Sequence, residues 1–150
     1  MKSEDFVTYD QALILKKLGF REPCLYFYDL NGAFCPNGIN IGPFDYIEDY
    51  KNNLPVHINE GFRTENTLNP NFDICDAPFL WQVQKWLRKE KNLYLMFDMG
   101  QDRKHDGKFA WYVVNRNGFI ISDLASEVIF DSPEEAISDG ITECLKFLER

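Results

Sequence analysis

The motifs that metal sites and nucleophilic active sites require are missing from this chain. Its two histidines and four cysteines form no Cys-x-x-Cys or His-x-x-x-His pair, the spacings typical of protein zinc sites. No serine lies in a Gly-x-Ser-x-Gly sequence, and neither histidine has a nucleophile beside it. We therefore expect no metal, no cofactor and no catalytic residue, and a protein that is not an enzyme is favoured.

Long apolar runs are missing as well. No run approaches the roughly 18 residues that a membrane-spanning helix needs, and the segment Met1–Asp5 is polar and acidic, unlike a signal peptide. We therefore expect a cytoplasmic protein without a membrane partner. In that reducing compartment the cysteines are expected to be buried thiols and not disulfides, namely Cys24, Cys35, Cys75 and Cys144.

The charge is acidic overall but uneven along the chain. The net charge of -8 argues against nucleic acid or an anionic membrane as the default partner. Residues 77–124 nevertheless carry eight Lys and Arg against five Asp and Glu, a local excess of positive charge between two acidic ends. The basic residues of this middle segment that form a candidate anion patch are Lys85, Arg88, Lys89, Arg103, Lys104 and Lys108.

Hydrophobic periodicity predicts helix, three strands and helix over residues 76–150. Asp76 is predicted to cap the first helix, with Pro78 in its first turn. The apolar stripe of this helix comprises Phe79, Leu80, Val83, Trp86 and Leu87. Alternation of apolar and other side chains then predicts strands over residues 93–99, 109–114 and 119–121, with residues 127–130 continuing the last strand after a kink near Ser126.

The closing helix has the clearest start signal in the chain. Ser132 and Glu135 predict a capping box, and Pro133 suits the first turn. Gly140 interrupts the helix at a cost of about 1 kcal/mol against alanine, which predicts a close approach to the sheet. Because the three strands are joined by short turns, they are expected to pair antiparallel with both helices on one face.

The N-terminal part predicts a helix followed by a hairpin. Thr8 and Gln11 form a capping-box pattern, and Gly19 followed by Phe20 predicts a Schellman ending. A strand over residues 24–30 then meets Asn31-Gly32, a strong hairpin signal. The predicted fold class is α+β in one domain, residues 1–150, made of a helix plus hairpin (8–35) that extends or caps the main sheet, an irregular insertion (36–75) and an αβββα core (76–150).

The order helix, three antiparallel strands, helix is also the topology of the double-stranded-RNA-binding domain. In that family the contacts come from the first helix, the first hairpin loop and a basic start of the second helix. Here the third contact is replaced by Glu134 and Glu135, which would repel a phosphate backbone. Nucleic acid is therefore not the expected partner.

Eight short segments at both ends of the chain carry a family resemblance. They are Thr8–Ala12, Leu18–Cys24, Ala77-Pro78, Gln82-Val83, Trp86–Lys89, Asn92–Tyr94, Ser132–Ala136 and Cys144-Leu145. Together they resemble a family of small uncharacterised proteins carried by phages and integrated elements of gut bacteria. Family members usually have Thr-Tyr-Glu-Glu-Ala before the last helix, where this chain has Asp131-Ser132-Pro133 in place of the start. The resemblance implies a phage or prophage context and a shared fold, and it carries over no catalytic residue.

Three functions remain open from the sequence. The first is an accessory protein that binds a host or phage protein, with candidate contact residues Phe44, Tyr46, Tyr50, Phe62, Phe72, Glu134 and Glu135. The second is an acidic inhibitor that mimics nucleic acid or neutralises a toxin, using Glu134, Glu135, Asp139 and Glu143 together with the acidic N-terminal half. The third is a small-ligand binder or an enzyme.

Overall fold

The computed structural model describes residues 3–36, 63–64, 67–68, 75–100 and 107–150. The chain divides into two compact units, an N-terminal unit of Val7–Phe79 and a C-terminal unit of Leu80–Arg150 with Met1–Phe6. The described residues form α-helices and short antiparallel strands, which confirms the α+β class. No helix among these residues has both the length and the apolar character needed to cross a membrane.

The described elements follow one another in a simple order. A short 3-10 helix spans Ser3–Asp5. The others are α1 (Tyr9–Lys17), β1 (Tyr26–Tyr28), β2 (Phe34–Pro36), β3 (Arg63–Thr64), β4 (Thr67–Leu68), β5 (Cys75–Asp76), α2 (Leu80–Lys91), β6 (Tyr94–Met99), β7 (Phe109–Val114), β8 (Ile120–Ala125) and α3 (Pro133–Leu148).

Both ends of α1 follow the prediction. The Thr8 hydroxyl accepts from the Gln11 amide at 3.3 Å, and the Thr8 amide donates to the Gln11 side chain at 2.8 Å. At the other end Gly19 has a φ of +90°, and the Phe20 amide donates to the Leu15 carbonyl at 2.9 Å. These contacts confirm the capping box and the Schellman ending.

The sheet of the N-terminal unit has the order β2-β1-β5, with all pairs antiparallel. The predicted hairpin joins β1 and β2, and its loop is closed by the Asp29 carboxylate, which accepts from the amides of Asn31 and Ala33 at 2.8 and 2.9 Å. Gly32 supplies the positive φ of +76° that this loop needs. The hairpin pairs with β5 and, among the described strands, with none of the β6–β8 sheet, so the prediction that it extends that sheet is wrong.

Asp76 does not cap α2, which corrects a second prediction. It lies in β5 opposite Phe27, and α2 begins four residues later at Leu80. The strand pairing takes precedence because the main chain at residues 76–78 is held by neighbours: the Ala77 amide donates to Tyr26 at 2.9 Å, and the Pro78 carbonyl accepts from Val7 at 3.1 Å. These bonds hold the chain extended where the cap was expected.

The sheet of the C-terminal unit has the order β6-β7-β8, and β6 pairs with β7 without interruption from Tyr94 opposite Val114 to Met99 opposite Phe109. Both helices of the αβββα segment pack on this sheet, as predicted. The side chains buried beneath them are Leu95, Trp111, Val113 and Leu124 from the strands, Leu80, Val83, Trp86 and Leu87 from α2, and Ala136, Ile137, Ile141, Cys144 and Leu145 from α3.

The third strand is irregular. Val114 pairs with Ile120 and Tyr112 pairs with Ala125, so β8 carries extra residues in a bulge. Beyond it the Ser126 amide donates to the Trp111 carbonyl at 2.9 Å, and Phe130 forms an isolated antiparallel bridge with Phe109. The strand ends at Ala125, directly before the predicted kink at Ser126, but residues 127–129 form no strand, so the predicted continuation over residues 127–130 is reduced to this single bridge at Phe130.

The start of α3 confirms the cap. The Ser132 hydroxyl accepts from the Glu135 amide at 3.1 Å, and Pro133 lies in the first turn. The return bond from the Glu135 side chain, which would complete a capping box, is not formed between these two described residues.

Gly140 lies where α3 meets the sheet. A Cβ atom at this position would lie 2.6 Å from Leu95 Cδ1 and 3.1 Å from the ring of Trp111. Leu95 and Trp111 are themselves buried, so neither has free space into which to move. The predicted close approach at this glycine is confirmed.

We expect Gly140→Ala to lower the free energy of unfolding by about 1 kcal/mol, because overpacking of about 1–3 kcal/mol exceeds the gain in helix propensity of about 1 kcal/mol. Urea unfolding measures the change. In a Leu95→Val background, where the opposing methyl is removed, the same substitution should cost less. Stabilisation by Gly140→Ala in the wild-type background would contradict this packing.

Candidate functional site

One face of the β6–β8 sheet carries large apolar side chains that the helices do not cover. Successive strand residues point to opposite faces, so the neighbours of buried Leu95, Trp111 and Val113 lie on the other side. We define the open face as Tyr94, Met96, Tyr112, Val114 and Ile120. None of the five is buried; Met96 is 44% exposed and Ile120 is 63% exposed. Antiparallel sheets with one solvated face usually place polar side chains there, so this composition is unusual.

The outer side of β6 is a strand edge with which no other described strand pairs. The backbone of Trp111 bonds toward Ser126 and not toward β6, and the Gly100 amide donates to the Lys108 carbonyl at 2.9 Å. Because bonding pairs alternate along an antiparallel ladder, Phe97, which lies opposite Trp111, directs its N–H and C=O away from β7. Leu95 and Met99 have the same orientation. We define the β6 edge as Leu95, Phe97 and Met99.

The two ends of the β6 edge are occupied and its centre is open. The Leu95 carbonyl accepts from Gln84 Nε2 at 3.3 Å, and the Met99 amide donates to its neighbour Asp98 at 2.9 Å. Phe97 has no backbone hydrogen-bond partner among the described residues. Its side chain is 47% exposed and that of Met99 is 55% exposed. Native sheets usually protect such edges with charges, proline or bulges, and β6 has none of these at Phe97.

One flank of α2 borders this edge. Gln84 reaches the Leu95 carbonyl, and Trp81 and Arg88, three residues before and four after it, lie on the same side of the helix. Trp81 is 58% exposed. Arg88 and Lys85 are exposed and form no ion pair with any residue that the structure describes. The β6 edge therefore has an aromatic ring and unpaired positive charge beside it.

Four of the six residues of the candidate anion patch lie among the described residues, and these four fall on two separate parts of the chain. Lys85, Arg88 and Lys89 share the exposed side of α2. Lys108 directly precedes β7 and forms an ion pair with Asp131. Arg103 and Lys104 lie outside the described residues. The nearby Lys91 also lies on α2, over the ring of Trp86 at 5.2 Å from its centroid.

The acidic residues of α3 are partly engaged within the protein. Glu134 and Glu135 lie in the first turn, where carboxylates favour the helix dipole. Asp139 accepts a hydrogen bond from the indole N–H of Trp111 at 2.7 Å. Glu143 pairs with Lys146 at 2.9 Å. Two of the four carboxylates proposed for the inhibitor alternative thus have partners in their own chain. The aromatic contact residues Phe44, Tyr46, Tyr50, Phe62 and Phe72 lie outside the described residues.

The cysteines are free thiols, and Cys24, Cys75 and Cys144 are buried. Burial raises the pKa of Cys24 far above its usual range, and the carboxylates of Asp76 and Glu22 add to this effect. Burial raises the pKa of Cys144 to about 12, with a further contribution from Glu143. Such thiols stay protonated near neutral pH and are poor nucleophiles. Within the described parts of the chain, no group of three or more His, Cys, Asp or Glu side chains is placed to hold a metal ion.

A small cleft lies at the end of the β6–β7 hairpin. Its volume is about 200 Å³, and its lining includes Met99, Phe109 and Ile129 together with Asp98 and Lys108. Pockets for small molecules are usually about 300–1,000 Å³. The cleft is therefore smaller than a usual small-molecule or cofactor site.

Comparisons with protein-family models, curated proteins and solved structures found no match to this chain.

The open face and the β6 edge were missed by sequence reasoning. The sequence did contain one signal, because Met96 and Phe97 are adjacent large apolar residues in a predicted strand and must point to opposite faces. Only one of those faces can meet the helices. The unpaired edge of the strand follows from the order of the strands in the sheet. Hydrophobic periodicity does not predict that order.

Replacing Asp139 should show whether its carboxylate supports the core. We expect Asp139→Ala to lower the free energy of unfolding by about 1–3 kcal/mol, because the indole N–H of buried Trp111 loses its acceptor. Asp139→Asn keeps an acceptor oxygen and should lose clearly less. Urea unfolding followed by tryptophan fluorescence measures both variants, and equal effects of the two would contradict a role for this hydrogen bond.

Alkylation should distinguish the partly exposed thiol of Cys35 from the three buried thiols. We expect iodoacetamide to label only Cys35 in the native chain, since it is the one cysteine that is not buried, and all four after unfolding. Burial and the Asp29 carboxylate raise the pKa of Cys35 above the ordinary thiol value of 9.0, so its labelling rate should still be rising with pH above pH 9.0. Mass spectrometry of the labelled peptides gives the site. Native labelling of Cys24 or Cys144 at the rate of Cys35 would contradict the burial.

Proposed function

We propose that this chain is a protein-binding protein without catalytic activity, and that it binds its partner through the β6–β8 sheet. The observation that supports the proposal is the uncovered apolar surface formed by the open face and the β6 edge. Methionine and aromatic residues are enriched in protein interfaces, and this surface consists largely of them. A surface of this kind in water stabilises association with another apolar surface.

A different protein is a better partner than a second copy. Two copies of a chain with a net charge of -8 repel each other, which opposes association of the free chain with itself. A heterologous partner need not carry the same net charge, so any acidic residues it has can be confined to the segment that faces the basic flank of α2. It also allows the partner to offer polar groups to the edge while its apolar side chains cover the open face.

The biological setting is part of the proposal. We infer an accessory protein of phage or prophage origin that acts on a host protein in the cytoplasm. The resemblance of its end segments to proteins of phages and integrated elements supports the first part. The four free thiols support a reducing compartment.

Site-specific photo-crosslinking tests the proposal. A photoreactive amino acid at Met96 is expected to form a crosslink to one protein in an extract of the bacterium that carries the gene, and the same group at Lys146 on α3 is not. The crosslinked protein is then purified and its affinity for the full chain is measured by calorimetry. Ile120→Lys should weaken binding about tenfold or more, because it places an unpaired charge in the interface.

Val128→Lys is the matched control, since Val128 is also an exposed apolar residue but lies outside the open face. It should leave the affinity unchanged. Circular dichroism establishes that both variants fold. Equal affinity of wild type and Ile120→Lys, or equal loss in both variants, would contradict binding through the open face.

A further inference from the structure

We propose that the β6 edge binds an extended, acidic segment of the partner as an added fourth strand, with Arg88 and Lys85 pairing with its carboxylates. This inference rests on the proposed function and specifies its mode and the chemistry of the partner. It concerns the edge of the sheet, whereas the proposed function depends on the open face.

The backbone of Phe97 provides the anchor for such a strand. Its N–H and C=O point outward side by side, and an incoming main chain satisfies both with two hydrogen bonds. The Leu95 carbonyl, two residues before Phe97, offers a further acceptor to the incoming strand. The Leu95 carbonyl is held by a single side-chain bond of 3.3 Å from Gln84, which an incoming amide is able to replace. The ladder between β6 and β7 is regular over six pairs, so the edge is straight enough to template another strand.

The side chains on either side of the edge favour apolar residues on both sides of the incoming strand. On the helix side the incoming strand meets exposed Phe97, and Trp81 lies on the flank of α2 that borders the edge. On the other side it meets Met96 of the open face. Residues of an added strand point alternately to these two sides, so adjacent apolar residues are favoured, one for each side.

The charge beside the edge selects an acidic segment. Arg88 lies on the same flank of α2 as Gln84, the residue that contacts the edge. Lys85 directly follows Gln84 in the helix and lies further around the helix axis. Neither has an ion-pair partner among the described residues, and residues 77–124 carry eight Lys and Arg against five Asp and Glu. Guanidinium groups pair well with carboxylates, so Asp or Glu beside the apolar positions complements this flank.

A second copy of the chain does not fit the same edge. Antiparallel pairing of two β6 strands about Phe97 would bring the Arg88 side of both α2 helices to one junction, and like charges oppose that arrangement. The other edge of the sheet is not an alternative, because β8 is bulged and bulges disfavour strand addition. An acidic strand of a different protein is therefore the occupant that the surface favours.

The probe for this inference is a random library of peptides of about ten residues, displayed on ribosomes and selected on the immobilised full chain. We expect the selected peptides to contain adjacent apolar residues, one for each side of the edge, and to be enriched in Asp and Glu. The best one is synthesised with a fluorophore, and its affinity is measured by anisotropy. Methylating its amide nitrogens one at a time should weaken binding about tenfold or more at every second position, because only those amides face β6.

Variants of the chain provide the matching test. Phe97→Pro removes the outward N–H without touching the ladder to β7, and proline is tolerated on edge strands in this orientation. We expect it and Arg88→Glu each to weaken peptide binding about tenfold. Lys89→Glu makes the same charge change on the side of α2 away from Gln84 and should have little effect. The N-methyl scan keeps the test valid if Phe97→Pro fails to fold.

The outcomes separate the two proposals. Selection of basic peptides, absence of the every-second-amide pattern, or failure to select any peptide would overturn strand addition. A partner found by crosslinking that binds Phe97→Pro and Arg88→Glu normally but not Ile120→Lys would leave the proposed function intact and remove the edge mode. Loss of peptide binding in Phe97→Pro and Arg88→Glu, together with weaker binding at every second N-methylated position, supports strand addition.

Discussion

The contact between Gly140 and the side chains of Leu95 and Trp111 lets α3 lie directly on the sheet, and the arrangement of the C-terminal unit depends on it. With α3 over the centre of the sheet and α2 packed on β6, both helices occupy one face. Leu95, Trp111, Val113 and Leu124 of that face are then buried beneath side chains from the same segment. No described element of the C-terminal unit covers the opposite face or pairs with the outer edge of β6. The same packing that builds the core therefore leaves an apolar surface open.

Features that depend on a few neighbouring residues were predictable from the sequence. The caps at Thr8 and Ser132, the helix end at Gly19 and the close approach at Gly140 each follow from local chemistry that acts within one or two turns. The αβββα order also followed, because helix and strand periods differ clearly between residues 80 and 148. In each case the residues that carry the signal also form the contact.

Features that depend on distant pairing were not predictable. Asp76 has the chemistry of a helix cap, but it pairs with Phe27 about fifty residues earlier, and that strand pairing overrides the local preference. The β6 edge exists only because β7 pairs with β8 on its other side. The hydrogen bond from Gln84 to the Leu95 carbonyl likewise joins a helix to a strand edge. Hydrophobic periodicity does not predict which way that edge faces. Sequence reasoning therefore found the strand that carries the candidate site but not its exposed side.

Amide hydrogen exchange of the free chain tests the open edge itself, without any partner. If β6 is a free edge, the amides of Met96 and Asp98, which bond to β7, are protected, while the Phe97 amide between them exchanges at nearly the rate of an unstructured peptide. This alternation along three consecutive residues is the predicted result. Strong protection of the Phe97 amide in the free chain would show that the edge is already occupied and would contradict strand addition at this edge.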